Sequence, residues 1–163
     1  MALDTSGTFA FGTRTVRIPP PAYPAGAAAF ESARAQGIGL LIPTKAGSDE
    51  PAPPPPSLPA ATAYCVWPSS DLLARHLHSP GEAAALVGRS VIELGAGCGL
   101  PGFAAHLAGA SRVCLTDLPI NLPRLQELVA LNEAPPSAVC VQALDWTLPL
   151  PADILAQEWD LVS

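Results

Sequence analysis

A chain of 163 residues has room for one domain and little over, and 49% apolar content with a mean hydropathy of +0.32 requires that part of it be a packed globule. Twenty prolines mean that another part is not. A net charge of −6 excludes a basic footprint for nucleic acid or an anionic membrane, and no uninterrupted apolar run of about 18 residues is present to span a bilayer.

The N-terminus carries no basic stretch followed by a long apolar core, so no secretory signal is read. Cys65, Cys98, Cys114 and Cys140 are widely spaced and form no Cys-x-x-Cys pair. They read as small hydrophobes in a reducing compartment, cytoplasmic or nuclear, and not as a disulfide or zinc framework.

Residues 1–60 hold 11 of the 20 prolines. Pro19-Pro20-Pro21 and the run Pro53–Pro56 enter neither a helix interior nor a central strand, so 1–60 is expected to be a proline-rich, largely flexible leader. Residues 27–35 suit a short helix and 38–42 a short strand within it.

Order is expected from about Thr62. Tyr64-Cys65-Val66-Trp67 is apolar and β-prone, and Pro68 stops it. Ser69 or Ser70 suits an N-cap for a helix over 71–78, with Leu72, Leu73, His76 and Leu77 as its buried stripe. His76 and His78 read as a stripe edge and a solvated tip, not as metal ligands; no metal site is expected. Pro80-Gly81 breaks this helix, and a short one over 82–87 leads into the first strand.

That strand opens the informative stretch, Val91-Ile92-Glu93-Leu94-Gly95-Ala96-Gly97-Cys98-Gly99-Leu100-Pro101-Gly102. Strand, glycine-rich turn and helix in this order aim unpaired helix N–H groups at a ligand, and Pro101 suits a first helical turn. A helix over 101–108 closed by Gly109 follows, then a strand Arg112–Thr116 ending in Asp117. Next come a helix over 121–131 with Leu125, Leu128, Val129 and Leu131 inward, a strand Val139–Ala143 running out at Leu144-Asp145-Trp146, and a proline-containing loop. The start of a fourth strand at 159–163 completes the alternation. It specifies an α/β fold, a parallel sheet with helices on its faces. Ending within a fourth strand reads as a domain incomplete at its C-terminus, with 61–163 as its N-terminal, cofactor-binding half.

Two glycine registers compete. Gly97-x-Gly99-x-x-Gly102, with Asp117 for a ribose, matches the fingerprint of an NAD-dependent oxidoreductase. Its first glycine, however, comes two residues late after the strand. Glu93-x-Gly95-x-Gly97-x-Gly99 places an acid inside the strand, which suits a cationic sulfonium cofactor and is hard to justify beside a pyrophosphate. S-adenosyl-L-methionine is therefore the expected cofactor. Asp117 lies about 20 residues beyond the loop, the usual place for a ribose-binding acid.

Trp67-Pro68-Ser69-Ser70, the glycine stretch, Leu115-Thr116-Asp117-Leu118-Pro119, Leu144-Asp145-Trp146 and Trp159-Asp160-Leu161-Val162 together resemble the seven-β-strand protein methyltransferases of the lysine methyltransferase family 16 group. The resemblance covers about residues 64–163. It implies a Rossmann-like class I methyltransferase sheet, S-adenosyl-L-methionine, and a protein substrate methylated on lysine, with arginine open. Carried over, Trp67 shields the methionine end of the cofactor and Gly95, Ala96 and Gly97 form the loop. Asp117 holds the ribose, while Asp145 and Trp146 flank the adenine. The family's acid-x-x-aromatic motif would lie beyond Ser163, so no catalytic residue is assigned and the 163 residues alone are expected to be inactive. The remaining alternative is a non-catalytic interaction protein working through its proline-rich leader.

Overall fold

The computed structural model describes residues 8–18, 63 and 66–163. The expected polyproline runs, the helix over 27–35, the strand over 38–42, and Thr62, Tyr64 and Cys65 lie outside the described residues.

Strands β1 (Thr8–Phe11) and β2 (Arg14–Arg17) form an antiparallel hairpin within the expected leader. Its two-residue turn, Gly12-Thr13, has Gly12 at φ +60°, the left-handed conformation such a turn needs and a side chain resists. Phe9, Phe11, Val16 and Ile18 are buried in the same core as the helices of the domain, so residues 8–18 are part of the globule. Asn132 acts as a strand partner for the hairpin: its Oδ1 accepts the Arg17 N–H at 2.6 Å and its Nδ2 donates to Arg17 O at 2.8 Å. The leader expectation averaged over the prolines and missed the period-2 pattern of Phe9, Phe11, Val16 and Ile18.

Helix α1 spans Pro68–Leu77 and α2 spans Pro80–Leu86. Val66 and Trp67 are not a strand; Trp67 is the extended N-cap residue of α1, Pro68 takes the first position, and neither Ser69 nor Ser70 caps it. The buried face of α1 is also displaced from the expected stripe. Ala74 and Leu77 are buried and Leu73 packs beside them, whereas Leu72 is exposed. His78 is half-buried, its ring 5.3 Å from that of Phe11, and is not a solvated tip.

The sheet comprises β3 (Ser90–Leu94), β4 (Arg112–Asp117), β5 (Val139–Ala143) and β6 (Leu161–Val162), all parallel, in the order β5-β4-β3-β6. Helix α3 (Leu100–Leu107) links β3 to β4. A 3-10 turn (Pro119–Asn121) and α4 (Leu122–Leu131) link β4 to β5, and α5 (Ala152–Leu155), read from sequence as loop, precedes β6. The alternation of residues along β3 and β4 divides them between two cores. Val91, Val113 and Leu115 face α3, α4 and the hairpin, while Ile92 and Cys114 face Leu144, Ile154 and Trp159 on the α5 side. The chain steps outward from β3 to β5 and then crosses back to place β6 on the other side of β3. That reversal opens a crevice at the C-terminal strand ends, where open α/β sheets bind ligands.

Candidate functional site

The loop after β3 is a left-handed run: Gly95, Gly97 and Gly99 have φ of 63°, 53° and 66°. Side chains resist that conformation, which is why glycine recurs there. The loop is held from the end of β4. Ala96 N–H donates to Thr116 O at 2.8 Å, and Gly97 N–H donates to Asp117 Oδ2 at 2.7 Å. Space is short as well, since a Cβ on Gly95 would lie 3.1 Å from the Trp146 ring and one on Gly97 would lie 3.3 Å from Ala63 O.

Glu93 is 5% exposed, and its Oε2 accepts the Gly102 N–H at 2.8 Å. Gly102 belongs to the first turn of α3, where N–H groups lack helical partners, and the N-cap residue Gly99 has no side chain to offer. Glu93 thus caps α3 from the strand beneath it. Burial pushes its carboxyl up from 4.5 to about 8, the Gly102 hydrogen bond opposes that rise, and the Asp117 charge adds to it.

Asp117 is equally committed. Its Oδ1 accepts the Leu118 N–H at 2.7 Å and Asn121 Nδ2 at 2.8 Å, while its Oδ2 holds Gly97. Of the roughly four lone-pair sites on a carboxylate, three are taken. Asp145 closes a local turn, accepting the Thr147 hydroxyl at 2.7 Å and the Thr147 N–H at 2.9 Å, and these bonds hold its carboxyl below the usual range. Trp146 is 68% exposed, with its ring edge against Gly95.

A cleft of about 540 Å³ gathers these parts at the ends of β3, β4 and β5. Eight of the nine residues expected from sequence line it: Trp67, Glu93, Gly95, Ala96, Gly97, Asp117, Asp145 and Trp146. Gly99 does not. It faces inward, where a Cβ would lie 3.0 Å from Leu115 Cδ1 and 3.4 Å from Leu125 Cδ2, so its role is packing at the start of α3. Ser69, Ser70 and Leu73 of α1, together with Leu118 and Asn121, also line the cleft and were missed by sequence reasoning. Asn121 is the first residue of the helix expected over 121–131, a position that carried no sign of a ligand. Three carboxyl groups face this cleft, and among its described lining residues there is no Lys, Arg or His. No group of side chains among the described residues could hold a metal ion, and no described helix is long and apolar enough to cross a membrane.

A family model described as lysine methyltransferase matches residues 58–163. Among curated proteins, the chain is 46% identical over 59 residues to EEF1A lysine methyltransferase 3 of Mus musculus, covering 36% of this chain and 25% of that protein. It is 34% identical over 97 residues to the electron transfer flavoprotein beta subunit lysine methyltransferase of Homo sapiens, covering 59% and 34%. The chain therefore spans about a quarter to a third of the length of these relatives. Among solved structures, it is similar to magnesium protoporphyrin IX methyltransferase from Synechocystis PCC 6803 with bound SAH, at 20% identity and a TM-score of 0.44, covering 58% of this chain and 39% of that one.

Proposed function

Because the chain belongs to the lysine methyltransferase family, we propose that its cleft binds S-adenosyl-L-methionine for methyl transfer to a lysine nitrogen of a protein substrate. One observation carries the choice of cofactor: Asp117 and Asp145 line the cleft, with no described basic side chain beside them. Such a wall repels a pyrophosphate and attracts a sulfonium and an ammonium group. The dinucleotide register has the further difficulty that Gly102 lies inside α3, packed on Glu93 and Leu115, away from the loop surface.

The cofactor supplies a methyl group activated by the positive charge on its sulfur. The chain's own residues position and enclose it. Gly95, Ala96 and Gly97 offer bare backbone for close approach, and Glu93 braces the loop from below. Trp67 provides an apolar wall for the methionine end of the cofactor, and Trp146 provides a face that suits a purine ring. The work asked of such a site is proximity, orientation and stabilisation of the uncharged acceptor amine. The lysine acceptor is supported by the relatives, which are named for protein lysine methylation. The wide spacing of the cysteines, with no Cys-x-x-Cys pair, suits a reducing compartment, and the cytoplasm or nucleus is proposed on that ground.

Calorimetric titration of the chain with S-adenosylhomocysteine and with NADH tests this reading. Saturable binding of S-adenosylhomocysteine and none of NADH is expected. Binding of NADH without S-adenosylhomocysteine would overturn it.

A further inference from the structure

We propose that Asn121 is a ligand-binding residue of the cleft, its Oδ1 sharing the two vicinal hydroxyls of a ribose with Asp117 Oδ2. The inference rests on the nucleoside-cofactor reading and adds to it a residue with no role so far.

Three observations meet at this side chain. Asn121 stands at the N-cap position of α4, where asparagine is among the most favoured capping residues, yet its side chain caps nothing. It turns instead to the cleft wall, 2% exposed, and donates from Nδ2 to Asp117 Oδ1 at 2.8 Å. That bond sets the amide orientation, because the reverse would press an oxygen lone pair against a carboxylate. Asn121 Oδ1 is consequently buried and has no hydrogen-bond partner. A buried acceptor left without a donor is costly, and native structures leave few of them.

Asp117 supplies the complementary shortage. Leu118 N–H and Asn121 Nδ2 fill its Oδ1, and Gly97 N–H occupies one of the two sites on its Oδ2. One acceptor site remains, whereas a ribose presents two hydroxyl donors. An acid in this place is expected to take both, and here the second needs another acceptor. Asn121, with its orphaned Oδ1, is bonded through Nδ2 to Asp117, and both residues line the cleft.

The probes are S-adenosylhomocysteine and its 2′-deoxy and 3′-deoxy forms, titrated calorimetrically into the wild-type chain and into Asn121→Leu. Leucine keeps the volume, removes the acceptor and covers Asp117 Oδ1, so that the aspartate cannot take over the second hydroxyl. In the wild type each missing hydroxyl is expected to cost about tenfold in Kd. In Asn121→Leu one deoxy form is expected to bind as well as S-adenosylhomocysteine itself, while the other still loses about tenfold. Equal losses for both deoxy forms in wild type and variant would overturn the role of Asn121, as would wild-type losses below twofold. Should the leucine variant not fold, a crystal structure of the wild-type complex decides. A ribose hydroxyl within hydrogen-bond distance of Asn121 Oδ1 supports the proposal, and a water there overturns it. Failure of the wild type to bind S-adenosylhomocysteine would remove the cofactor reading itself and this inference with it.

Discussion

Glu93 of β3 and Gly102 of α3 are joined by a 2.8 Å hydrogen bond from the glycine amide to the buried carboxyl, so the strand caps the helix that follows the glycine loop. The capping side chain comes from nine positions upstream because Gly99, at the N-cap, has none. The loop between the two is therefore clamped at both ends, by Glu93 onto α3 and by Asp117 onto Gly97.

The clamp makes stability depend on pH. The Glu93 carboxyl is raised in the folded chain to about 8 from 4.5, so between these values the folded state holds a proton that the unfolded state has released. Its contribution is full below about pH 4.5 and is lost as pH rises through about 8. Glu93→Gln retains an acceptor for Gly102 and does not titrate. Relative to that variant, the wild type is expected to lose on the order of 4 kcal/mol between pH 5 and pH 9. Urea titrations across that range check it, and parallel curves would show that Glu93 does not titrate there.

Gly102 tolerates no side chain. A Cβ would overlap the Leu115 side chain and lie 2.6 Å from Glu93 Oε2 and 3.1 Å from Val113 Cγ1. Gly102→Ala is expected to destabilise by about 1–3 kcal/mol, although alanine is the better helix former. Chemical denaturation measures it, and a gain in stability would refute the packing.

Gly97→Val should act on stability and on binding together. Valine is strained at φ +53°, and its Cβ meets the Ala63 backbone at 3.3 Å. The expected outcome is a drop in Tm and no detectable binding of S-adenosylhomocysteine. An unchanged Kd would separate the loop from the cofactor.

Asp117→Ala has a larger structural effect than loss of a ribose contact alone. It leaves the N–H groups of Gly97 and Leu118 and the Asn121 amide without their acceptor. Each such loss costs about 1–3 kcal/mol when buried, so the variant should be markedly less stable as well as binding-defective. Thermal denaturation and cofactor titration are to be read together. Normal stability with weak binding would mean that the carboxylate serves the ligand more than the loop.

The hairpin belongs to the fold. Phe11 is 4% exposed and shares a core with Phe103. Phe11→Ala is expected to cost about 3–5 kcal/mol, whereas exposed Thr15→Ala should stay within about 0.5 kcal/mol. Equal, small effects would show that residues 8–18 are an independent appendage.

By itself the sequence determined the alternation of strand and helix from Ser90 onward, because short β-prone runs such as Val91–Leu94, with its single acid Glu93, and Val113–Leu115 are bounded by glycine, proline and charged residues in short order. It also pointed to Glu93, Gly95, Ala96, Gly97, Asp117, Asp145 and Trp146 at the cleft, since residues at the C-terminal ends of adjacent parallel strands converge once the sheet forms, but not to Ser69, Ser70, Leu73, Leu118 or Asn121. Tertiary structure alone decided the rest. The docking of Thr8–Ile18 depends on Asn132, more than a hundred residues away. The buried face of α1 was set by its packing on α3, so Ala74 went inward and Leu72 outward against its hydrophobicity. Asn121 left its own helix uncapped for a carboxylate on the preceding strand. In each case a short-range preference worth about 1 kcal/mol or less yielded to long-range burial or a charged hydrogen bond worth more.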